Sequence, residues 1–569
     1  MVPLDEIDAD ILILGAGGAG LLAAVHARRR NPRLRIVVAV KGLLGQSGCT
    51  RMVQGGYNAV LNPADSLERH FEDTVKGGGY INDQELAWVL VSDAPARIVE
   101  LENRIGCLFD RNPDGTIHQK PFAGQSFDRT VHKGDLTGIE IMSNLRDHIL
   151  ESEIQVLEEC RGLDLVMEDS RTAGALLLDN RGGRFVAVRA GAILVATGAG
   201  ATMYRISSPS LEKAGDGMGM AFRAGAEFVD MEMMQFHPTG LLVGSSIATG
   251  GLLEEGLRGA GARLYNGLGE RYMEKYEPAK LERATRDVIS RYSYLEIMAG
   301  RGTPSGGVLL DATHLGEEFL LANFRGMVER CRDYGFDLLH SRVEVSPSAH
   351  YHMGGVRIGL DCRTNVEGMF AAGEDAGGVH GANRLGGNGV ADSIVFGARA
   401  GDAMAEYAHR APTRPLSQAG VRDGCRRWSR ALEGGTEDPF ALRRRLEDLM
   451  WEKVGVVRNG RDLETAAGEI AELAARAASA DGSGTAAYNA KWNEAINLIN
   501  LTTVADMVAR SALRREESRG AHYRTDFPSP DPAWLRNIVI SLDAGTPRIT
   551  LRQVEFPRLR PPDLRPGAL

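Results

Sequence analysis

The segment from Ala9 to Arg30 constrains the fold of this chain more than any other. It joins a short apolar run, ADILIL, to the glycine sequence GAGGAG and then to LLAAVHARRR, which is typical of a helix. This order predicts a buried strand, a tight turn through Gly15, Gly17, Gly18 and Gly20, and a helix whose N-terminus faces a pyrophosphate. Because both flanks suit that arrangement, dinucleotide binding is favoured over an ordinary glycine-rich turn.

Other segments with strands and glycines indicate one large cofactor. The predicted second strand, RIVVAV, ends before Lys41, where many such proteins carry an acid for the ribose. That acidic contact is therefore missing or replaced. Three later segments combine a strand or a helix with glycines: GAILVATGAG (191–200), KAGDGMGMAFRAGAE (213–227) and MFAAGEDAGG (369–378). Ligands gather outside the carboxyl ends of strands in open α/β sheets, so these loops, with Glu374 just past the third strand, together favour FAD.

The composition limits the class of protein. A chain of 569 residues is too long for one hydrophobic core and is expected to divide into roughly three or four domains. Its 43% hydrophobic and 25% charged residues are typical of a soluble α/β protein, and its net charge of −9 argues against nucleic-acid binding. The cysteines form no CxxC pair, so neither a metal site nor a bound iron–sulfur cluster is predicted. The acidic N-terminus and the lack of a long apolar run predict a cytoplasmic chain without a membrane span.

The stretch 348–401 combines glycine clusters with basic side chains. It contains His350, His380 and Arg384, followed by the turn Gly386-Gly387-Asn388. Glycines allow the backbone to lie close to a ligand, and a guanidinium group suits a carboxylate. We therefore expect this stretch to close the cofactor site and to supply cationic ligands for a substrate.

Many ordered motifs of the chain resemble those of one family. They are GAGGAG, VQGGYNAVLN, DTVKGGGYINDQE, QKPFAGQS, ATGAG, QFHPTG, EEGLRG, TRD, SAHYHMGG, GANRLGGN and REESRGAHYR. In this order, and over nearly the whole length, they resemble the flavoprotein subunits of succinate dehydrogenase and fumarate reductase, a family that also includes L-aspartate oxidase.

The resemblance implies an α/β fold of four parts. A Rossmann-like FAD-binding domain, residues 1–234 and 346–406, is interrupted by an α+β capping domain, residues 235–345. A helical domain, residues 407–525, and a small C-terminal domain, residues 526–569, follow. Amphipathic helices predicted at 440–457 and 462–478 agree with the helical domain.

The resemblance also implies roles for individual residues. Arg286 is expected to transfer a proton that is relayed through Glu255 and Arg258. The expected substrate ligands are Gln54, Phe122, His237, Glu254, His350 and Arg384; the expected cofactor contacts are Gly15, Gly17, Gly18, Gly20, Lys41, Ser47, Thr50, Gly55, Gly56, Thr197, Gly198, Asp216, Glu374, Arg384, Gly387 and Asn388. Hydride transfer next to a carboxylate requires cations to hold the carboxylate and a group to handle the proton. Because the reference pKa of arginine exceeds about 12, Arg286 needs a buried, charge-rich setting to act as an acid.

One departure from the family pattern concerns the flavin. Succinate dehydrogenases usually attach FAD to the histidine of a Ser-His-Thr triplet, whereas this chain has Gly48-Cys49-Thr50. We therefore expect noncovalent FAD. A noncovalent flavin is generally the weaker oxidant in this family, which favours fumarate-type reduction, or reoxidation by another acceptor, over succinate oxidation.

A second departure concerns the substrate. Glu254 stands where the family usually has a threonine that bonds the substrate carboxylate. Two carboxylates about 4 Å apart repel by roughly 4 kcal/mol at an effective dielectric near 20. Glu254 is therefore expected to be protonated, turned away, or facing an amine or neutral group of the substrate. The QKPFAGQS segment, in contrast, resembles the dehydrogenase and reductase branch, so the two features favour different branches.

The sequence leaves three functions open. The leading hypothesis is an FAD-dependent oxidoreductase that interconverts succinate and fumarate, or a related carboxylic acid. An iron–sulfur protein subunit is its candidate electron partner. Association with a membrane would occur through such partner subunits. The alternative is an oxidase or dehydrogenase of L-aspartate or a similar amino dicarboxylate. A catalytically silent scaffolding flavoprotein is disfavoured by Arg286, His350 and Arg384.

Overall fold

The computed structural model describes residues 2–411 and 413–562. Its strands are β1 (Leu4–Asp8), β2 (Ile11–Leu14), β3 (Ile36–Ala39), β4 (Tyr57–Asn58), β5 (Gln119–Lys120), β6 (Thr130–Val131), β7 (Gln155–Leu157), β8 (Cys160–Glu168), β9 (Arg171–Asp179), β10 (Arg184–Arg189), β11 (Ala192–Val195), β12 (Phe228–Val229), β13 (Met234–Leu241), β14 (Arg263–Tyr265), β15 (Val308–Asp311), β16 (Val343–His352), β17 (Gly355–Arg357), β18 (Met369–Ala371), β19 (Ala376–Gly377), β20 (Arg536–Asp543) and β21 (Thr546–Gln553). Its α-helices are α1 (Gly18–Arg30), α2 (Leu67–Gly77), α3 (Gln84–Glu100), α4 (Thr137–Leu150), α5 (Asp216–Arg223), α6 (Glu255–Gly259), α7 (Met273–Tyr276), α8 (Arg286–Glu296), α9 (Glu317–Asn323), α10 (Arg325–Asp333), α11 (Asn388–Arg410), α12 (Gln418–Ser429), α13 (Pro439–Lys453), α14 (Gly460–Ala477) and α15 (Ala490–Arg514).

The predicted strand–turn–helix unit at the N-terminus lies in the middle of a parallel sheet. The strand order is β18-β11-β2-β3-β7, and every pairing in it is parallel. Strands β2, β3 and β11 are buried along their whole length, as expected for a parallel sheet covered on both faces. The carboxyl ends of these strands therefore share one edge, from which the glycine loops start.

The first glycine loop depends on two close approaches of the backbone. Gly15 has a φ of +110°, and a Cβ there would lie 2.1 Å from the carbonyl oxygen of Ala196. A Cβ at Gly20 would lie 1.9 Å from the carbonyl oxygen of Gly15. The chain bends this sharply into α1 only because both positions lack a side chain.

The region between residues 241 and 345 has its own apolar core. The antiparallel sheet β13-β16-β15-β14 forms one part of it, and helices α6 to α10 contribute buried apolar residues to the same core. The long strands β13 and β16 lead into and out of this region, and the predicted boundaries at 235 and 345 fall within them. The division of the chain into domains at these residues is a proposal that the separate core supports.

The C-terminal half adds helices and a hairpin. The amphipathic patterns at 440–457 and 462–478 correspond to α13 and α14, whereas the 25-residue helix α15 was not predicted. Strands β20 and β21 form a hairpin, and β20 pairs with β12, so this segment extends a sheet that begins in the N-terminal half. Residues 563–569 of the predicted C-terminal domain lie outside the described residues. In the described ranges, no helix is both long and apolar enough to cross a bilayer.

Helices α1 and α11 pack against each other through residues without large side chains. A Cβ at Gly397 would lie 2.5 Å from the carbonyl oxygen of Ala19, and a Cβ at Gly401 would lie 2.3 Å from that of Ala23. The neighbouring atoms belong to the backbone, so they cannot move aside without separating the helices. This contact fixes the position of α1 beneath the glycine loop.

We predict that Gly401→Ala destabilises the protein, whereas Gly468→Ala does not. Gly468 lies within α14 with nothing within 4 Å of an added Cβ, so alanine should stabilise that helix by about 0.5–1 kcal/mol. At Gly401 the same methyl group overpacks the interface, at a cost of about 1–3 kcal/mol. Thermal unfolding followed by circular dichroism measures both variants. A Gly401→Ala protein that melts at or above the Tm of Gly468→Ala would contradict the close packing of these helices.

Candidate active site

A cavity of about 660 Å³ lies at the carboxyl edge of the central sheet. Its wall contains the loops that follow β2, β3, β11 and β18, together with segment 46–56 and residues Glu254, Glu255 and Arg330 from the region with the second core. Ligands of open α/β folds bind at this edge. The cavity therefore connects the predicted cofactor residues with the predicted substrate residues.

The N-terminus of α1 faces the cavity without a cap. Gly17, the N-cap residue, offers no capping side chain, and the first turn of α1 contains no acidic residue. The amide of Gly18 donates to Oγ1 of Thr50 at 3.1 Å. The remaining free amides at this helix start carry a partial positive charge, so an anionic pyrophosphate suits this wall.

Lys41 belongs to a buried network of charges. Its Nζ lies 3.1 Å from Oδ2 of Asp216, and Arg161 donates to Oδ1 of the same carboxylate at 2.5 Å. Asn497 of α15 accepts from Lys41 at 3.1 Å and from Arg161 at 2.9 Å. Burial, reinforced by Arg161, lowers the pKa of Lys41 to about 8. Burial would raise the pKa of Asp216, but the two cations outweigh it and bring that pKa to about 2. Asp216 from α5 thus places a carboxylate beside Lys41. The second strand itself supplies no acidic residue at this position.

Glu374 and Cys49 lie on the wall between the two ends of the site. Oε2 of Glu374 is 2.5 Å from Nζ of Lys213, and its Oε1 accepts from the amide of His352 at 3.0 Å. The sulfur of Cys49 accepts from the amide of Ser210 at 3.4 Å. Burial raises the pKa of the Cys49 thiol, so the thiol is protonated at neutral pH and is a weak nucleophile.

Two arginines converge in the part of the cavity that was predicted to bind substrate. Arg286, the first residue of α8, donates from Nε and Nη2 to Oε2 of Glu255, at 2.8 and 2.6 Å. Arg286 and Arg384 both donate to Oε1 of the buried Gln235, at 3.2 and 3.0 Å. Burial, together with the charge of Arg286, lowers the pKa of Arg384 to about 10. Arg384 therefore stays charged at neutral pH and is suited to hold a carboxylate.

Glu255 connects Arg286 to a third arginine. Nη2 of Arg258 lies 3.7 Å from Oε1 of Glu255, and Nη1 donates to the carbonyl oxygen of Glu282 at 2.9 Å. Burial lowers the pKa of Arg258. Burial would raise the pKa of Glu255, but Arg286 and Arg258 outweigh it and lower that pKa. Glu255 thus lies between two buried arginines, hydrogen-bonded to Arg286 and in longer ionic contact with Arg258.

His237 and His350 lie side by side, with ring centres 5.5 Å apart. Burial, with the nearby arginines, lowers the pKa of both rings well below the usual range, so both are neutral. Nδ1 of His237 lies 3.4 Å from the amide nitrogen of Thr239 and 3.2 Å from its Oγ1. The pairing of β13 with β16 shifts register between His237 and Gly240, and such a bulge changes the direction of the neighbouring side chain. His237 is thus a neutral hydrogen-bonding group on the cavity wall.

Glu254 is paired with a lysine from another segment. Nζ of Lys120 donates to Oε1 of Glu254 at 2.6 Å, and 4% of the Glu254 side chain is exposed. Burial raises the pKa of Glu254, and Lys120 partly offsets this. The side chain lines the cavity, so it is not turned away, and the internal ion pair was not among the expected arrangements. Close by, Oε1 of Gln54 accepts from Nη2 of Arg330 at 2.8 Å when the amide is oriented with its oxygen toward the guanidinium.

The cavity brings together most of the predicted site residues. Those on its wall are Gly15, Gly17, Gly18, Lys41, Ser47, Thr50, Gln54, Gly55, Gly56, Phe122, Thr197, Gly198, Asp216, His237, Glu254, Glu255, Arg286, His350, Glu374, Arg384 and Gly387. Gly20, Arg258 and Asn388 lie behind the wall. The side chain of Asn388 accepts from Nδ2 of Asn58 at 2.7 Å and donates to Oγ1 of Thr74 at 3.1 Å. Asn388 therefore positions the start of α11 and does not face the cavity.

Several residues that shape the cavity were not predicted. They are Arg161, Lys213 and Arg330 on its wall, and Lys120 and Asn497 beside it. One sequence pattern could have indicated the last of them, since Asn493, Asn497 and Asn500 recur on one face of α15. The lysines and arginines have no such pattern, because their neighbours along the chain do not distinguish them from surface cations.

The residues present fit an FAD molecule. A Cβ at Gly17 would meet only Oγ1 of Thr50, at 3.4 Å, so the glycine leaves open space against the start of α1. The free amides there would hold the pyrophosphate. Lys41 and Asp216 provide a charged donor and an acceptor for a nucleotide, and segment 46–56 with Glu374 lines the path toward Arg286 and Arg384.

Comparison with known proteins agrees with this fit. Residues 10–390 match the family described as FAD binding domain, and residues 443–566 match the family described as Fumarate reductase flavoprotein C-term. The fold and the site therefore define an FAD-dependent oxidoreductase.

Individual relatives narrow the class further. The chain is 42% identical to one of the subunits of the fumarate reductase (CoM/CoB) of Methanothermobacter marburgensis, over 94% of this chain and 97% of the relative. It is 36% identical to the fumarate reductase flavoprotein subunit of Mycobacterium tuberculosis, over 97% and 98% of the two chains. A solved structure of Escherichia coli quinol fumarate reductase superposes with a TM-score of 0.93 at 33% identity, over 98% of both chains. The chain belongs to the family of fumarate reductase and succinate dehydrogenase flavoproteins, and the predicted family and fold class are confirmed.

Proposed function

We propose that this protein interconverts fumarate and succinate on noncovalently bound FAD, with fumarate reduction as the favoured direction. The observation that carries the proposal is the convergence of Arg286, Arg384, His237 and His350 on one wall of a cavity that also contains the nucleotide-binding loops. Two guanidinium groups held side by side suit the planar carboxylates of such a substrate. The names of the M. marburgensis and M. tuberculosis relatives support fumarate as that substrate.

The arrangement of side chains supports a separate role for each of them in the reaction. When bound, FAD supplies the hydride that passes to or from a substrate carbon. Arg384 holds the adjacent carboxylate, and the neutral ring of His237 offers a further hydrogen bond. Arg286 gives a proton to the neighbouring carbon and regains one through Glu255, to which two of its nitrogens are bonded and which first takes that proton from the side of Arg258. Arg258 extends this row, and succinate oxidation uses the same groups in reverse.

Oxidation of L-aspartate is the second candidate. One observation favours it, since Glu254 places a carboxylate on the cavity wall that would attract an ammonium group. The Lys120–Glu254 ion pair weakens this argument, because the carboxylate already has a cationic partner at 2.6 Å. We therefore rank it below the fumarate–succinate reaction.

We infer that an iron–sulfur protein exchanges electrons with this flavoprotein in the cytoplasm. The relatives are named as subunits of fumarate reductases, so their flavin chains work beside other chains. The cysteines of this chain form no CxxC pair that would bind a cluster of its own. Contact with a membrane, where it occurs, would run through such partners.

We predict that fumarate reoxidises the anaerobically reduced flavin in a single turnover. The return of the oxidised flavin absorption band, followed by stopped-flow spectroscopy, measures this step. L-Aspartate should leave the oxidised flavin unbleached under the same conditions. Bleaching by L-aspartate but not by succinate, with peroxide formed in air, would reverse the ranking of the two functions.

We predict that Arg286→Gln lowers the rate of fumarate reduction by about 10²- to 10⁴-fold, the usual contribution of a proton donor. Fumarate affinity should change far less, because Arg384 still holds a carboxylate. Steady-state rates and equilibrium titrations separate the two effects. Arg283→Gln is the matched control, since Arg283 is exposed three residues earlier in the chain. Full turnover of Arg286→Gln would show that the proton-transfer assignment is wrong.

We predict that the flavin separates from the chain on denaturation. Cys49 replaces the histidine of the usual attachment triplet, and its thiol is protonated at neutral pH. Acid precipitation should release all FAD to the supernatant, and the intact-mass spectrum should give the 61.4 kDa chain alone. A denatured chain that carries the extra mass of one flavin would contradict noncovalent binding.

A further inference from the structure

Glu254 has a hydrogen-bonding capacity that the proposed reaction does not use. Its side chain is buried on the cavity wall, next in sequence to Glu255, whose carboxylate bonds Arg286. Lys120 occupies Oε1, and within residues 2–411 and 413–562 no hydrogen-bond donor reaches Oε2. One oxygen of this carboxylate is therefore free for a ligand.

The charged groups that act on Glu254 include no excess of cations. Lys120 from β5 is cationic, whereas Asp135, from the loop before α4, and Glu255 are anionic. Arg330 from α10 also lines the cavity, but it donates to the carbonyl oxygen of Leu252. Lys120 also contacts the carbonyl oxygen of Gly134 at 3.4 Å. No excess positive charge is left at this position to balance a second carboxylate from a ligand. An ionised Glu254 would therefore repel it.

We propose that Glu254 takes up one proton when a dicarboxylate enters the cavity and donates it, as an Oε2–H hydrogen bond, to the carboxylate that Arg286 and Arg384 do not hold. The proton comes from solvent, and Oε1 stays bonded to Lys120. This inference rests on the proposed function, because it requires a substrate with two carboxylates. It makes Glu254 the residue that distinguishes a dicarboxylate from a monocarboxylate.

The ion pair with Lys120 explains why Glu254 takes up a proton only when the ligand binds. Before a ligand binds, Lys120 opposes the effect of burial and favours the ionised form of Glu254. An incoming carboxylate adds a like charge beside it, which favours the protonated form. The ligand therefore changes the protonation state of Glu254, and by linkage its affinity depends on pH.

The test is a titration of the oxidised FAD-loaded protein with fumarate, which cannot turn over in this redox state. The dissociation constant, followed by the change in flavin absorption between pH 6.5 and 8.5, should rise with pH, by at most about tenfold per pH unit. Calorimetry in two buffers with different ionisation enthalpies should show uptake of one proton per fumarate. Crotonate, which has a methyl group in place of the second carboxylate, should bind without this uptake.

Three variants isolate the role of Glu254. Glu254→Gln should bind fumarate with a flat pH profile and no proton uptake. Lys120→Met should also abolish proton uptake, because Glu254 is then protonated before the ligand binds. This variant tests the proposal if Glu254→Gln does not fold. Glu329→Gln, which removes an exposed carboxylate from α10, should keep the wild-type slope.

The outcomes separate this inference from the function on which it rests. Burial raises the pKa of Asp392 to about 7, so it titrates in the same range, but it should affect fumarate and crotonate alike. Fumarate binding with a flat pH profile and no proton uptake would overturn the role of Glu254 and leave the proposed function standing. Failure of fumarate both to bind and to reoxidise the flavin would overturn both proposals.

Discussion

The buried ion pair between Arg286 and Glu255 holds the substrate part of the cavity together. Without Glu255, Arg286 would be left as an uncompensated buried charge, at a cost of about 3–5 kcal/mol. Gln235 adds a neutral acceptor between Arg286 and Arg384, which allows two guanidinium groups to lie next to each other. Arg286 and Glu255 begin two different helices, α8 and α6, so the site forms only when both helices are in place.

Buried cations are paired with carboxylates along the rest of the cavity as well. Cations on or beside its wall are matched by carboxylates from distant parts of the chain: Lys41 by Asp216, Lys213 by Glu374, and Lys120 by Glu254. Such pairs keep the cavity from accumulating a large positive charge, although anionic ligands are proposed to bind there. An anion that binds beside one of these pairs adds a like charge to its carboxylate, which favours protonation of that carboxylate. Glu254 is the member whose second oxygen is free to carry the proton.

The sequence predicted local features better than long-range pairs. The turn at Gly15 and Gly20 follows from neighbouring residues, because strand, glycines and helix are contiguous. Lys120 and Glu254 are 134 positions apart, and no local pattern joins them, so their pairing required the structure. Helix α15 was missed for another reason, since apolar residues occur around much of its circumference, as in helices buried on several sides. The roles of Arg286 and Arg384 came from the family resemblance, not from their surroundings in the sequence.

The prediction for Asn388 shows how a side chain behind the wall can matter to the site. Its amide ties the start of α11 to Asn58 and Thr74, and the turn before it carries Arg384. Helix α11 in turn packs through Gly397 and Gly401 against α1, whose own start faces the cofactor part of the cavity. The two helix starts are therefore fixed to each other by backbone contact. A shift of the start of α1, where the pyrophosphate is proposed to bind, would move Arg384 as well, so the packing of α1 on α11 sets the distance between the two proposed binding positions.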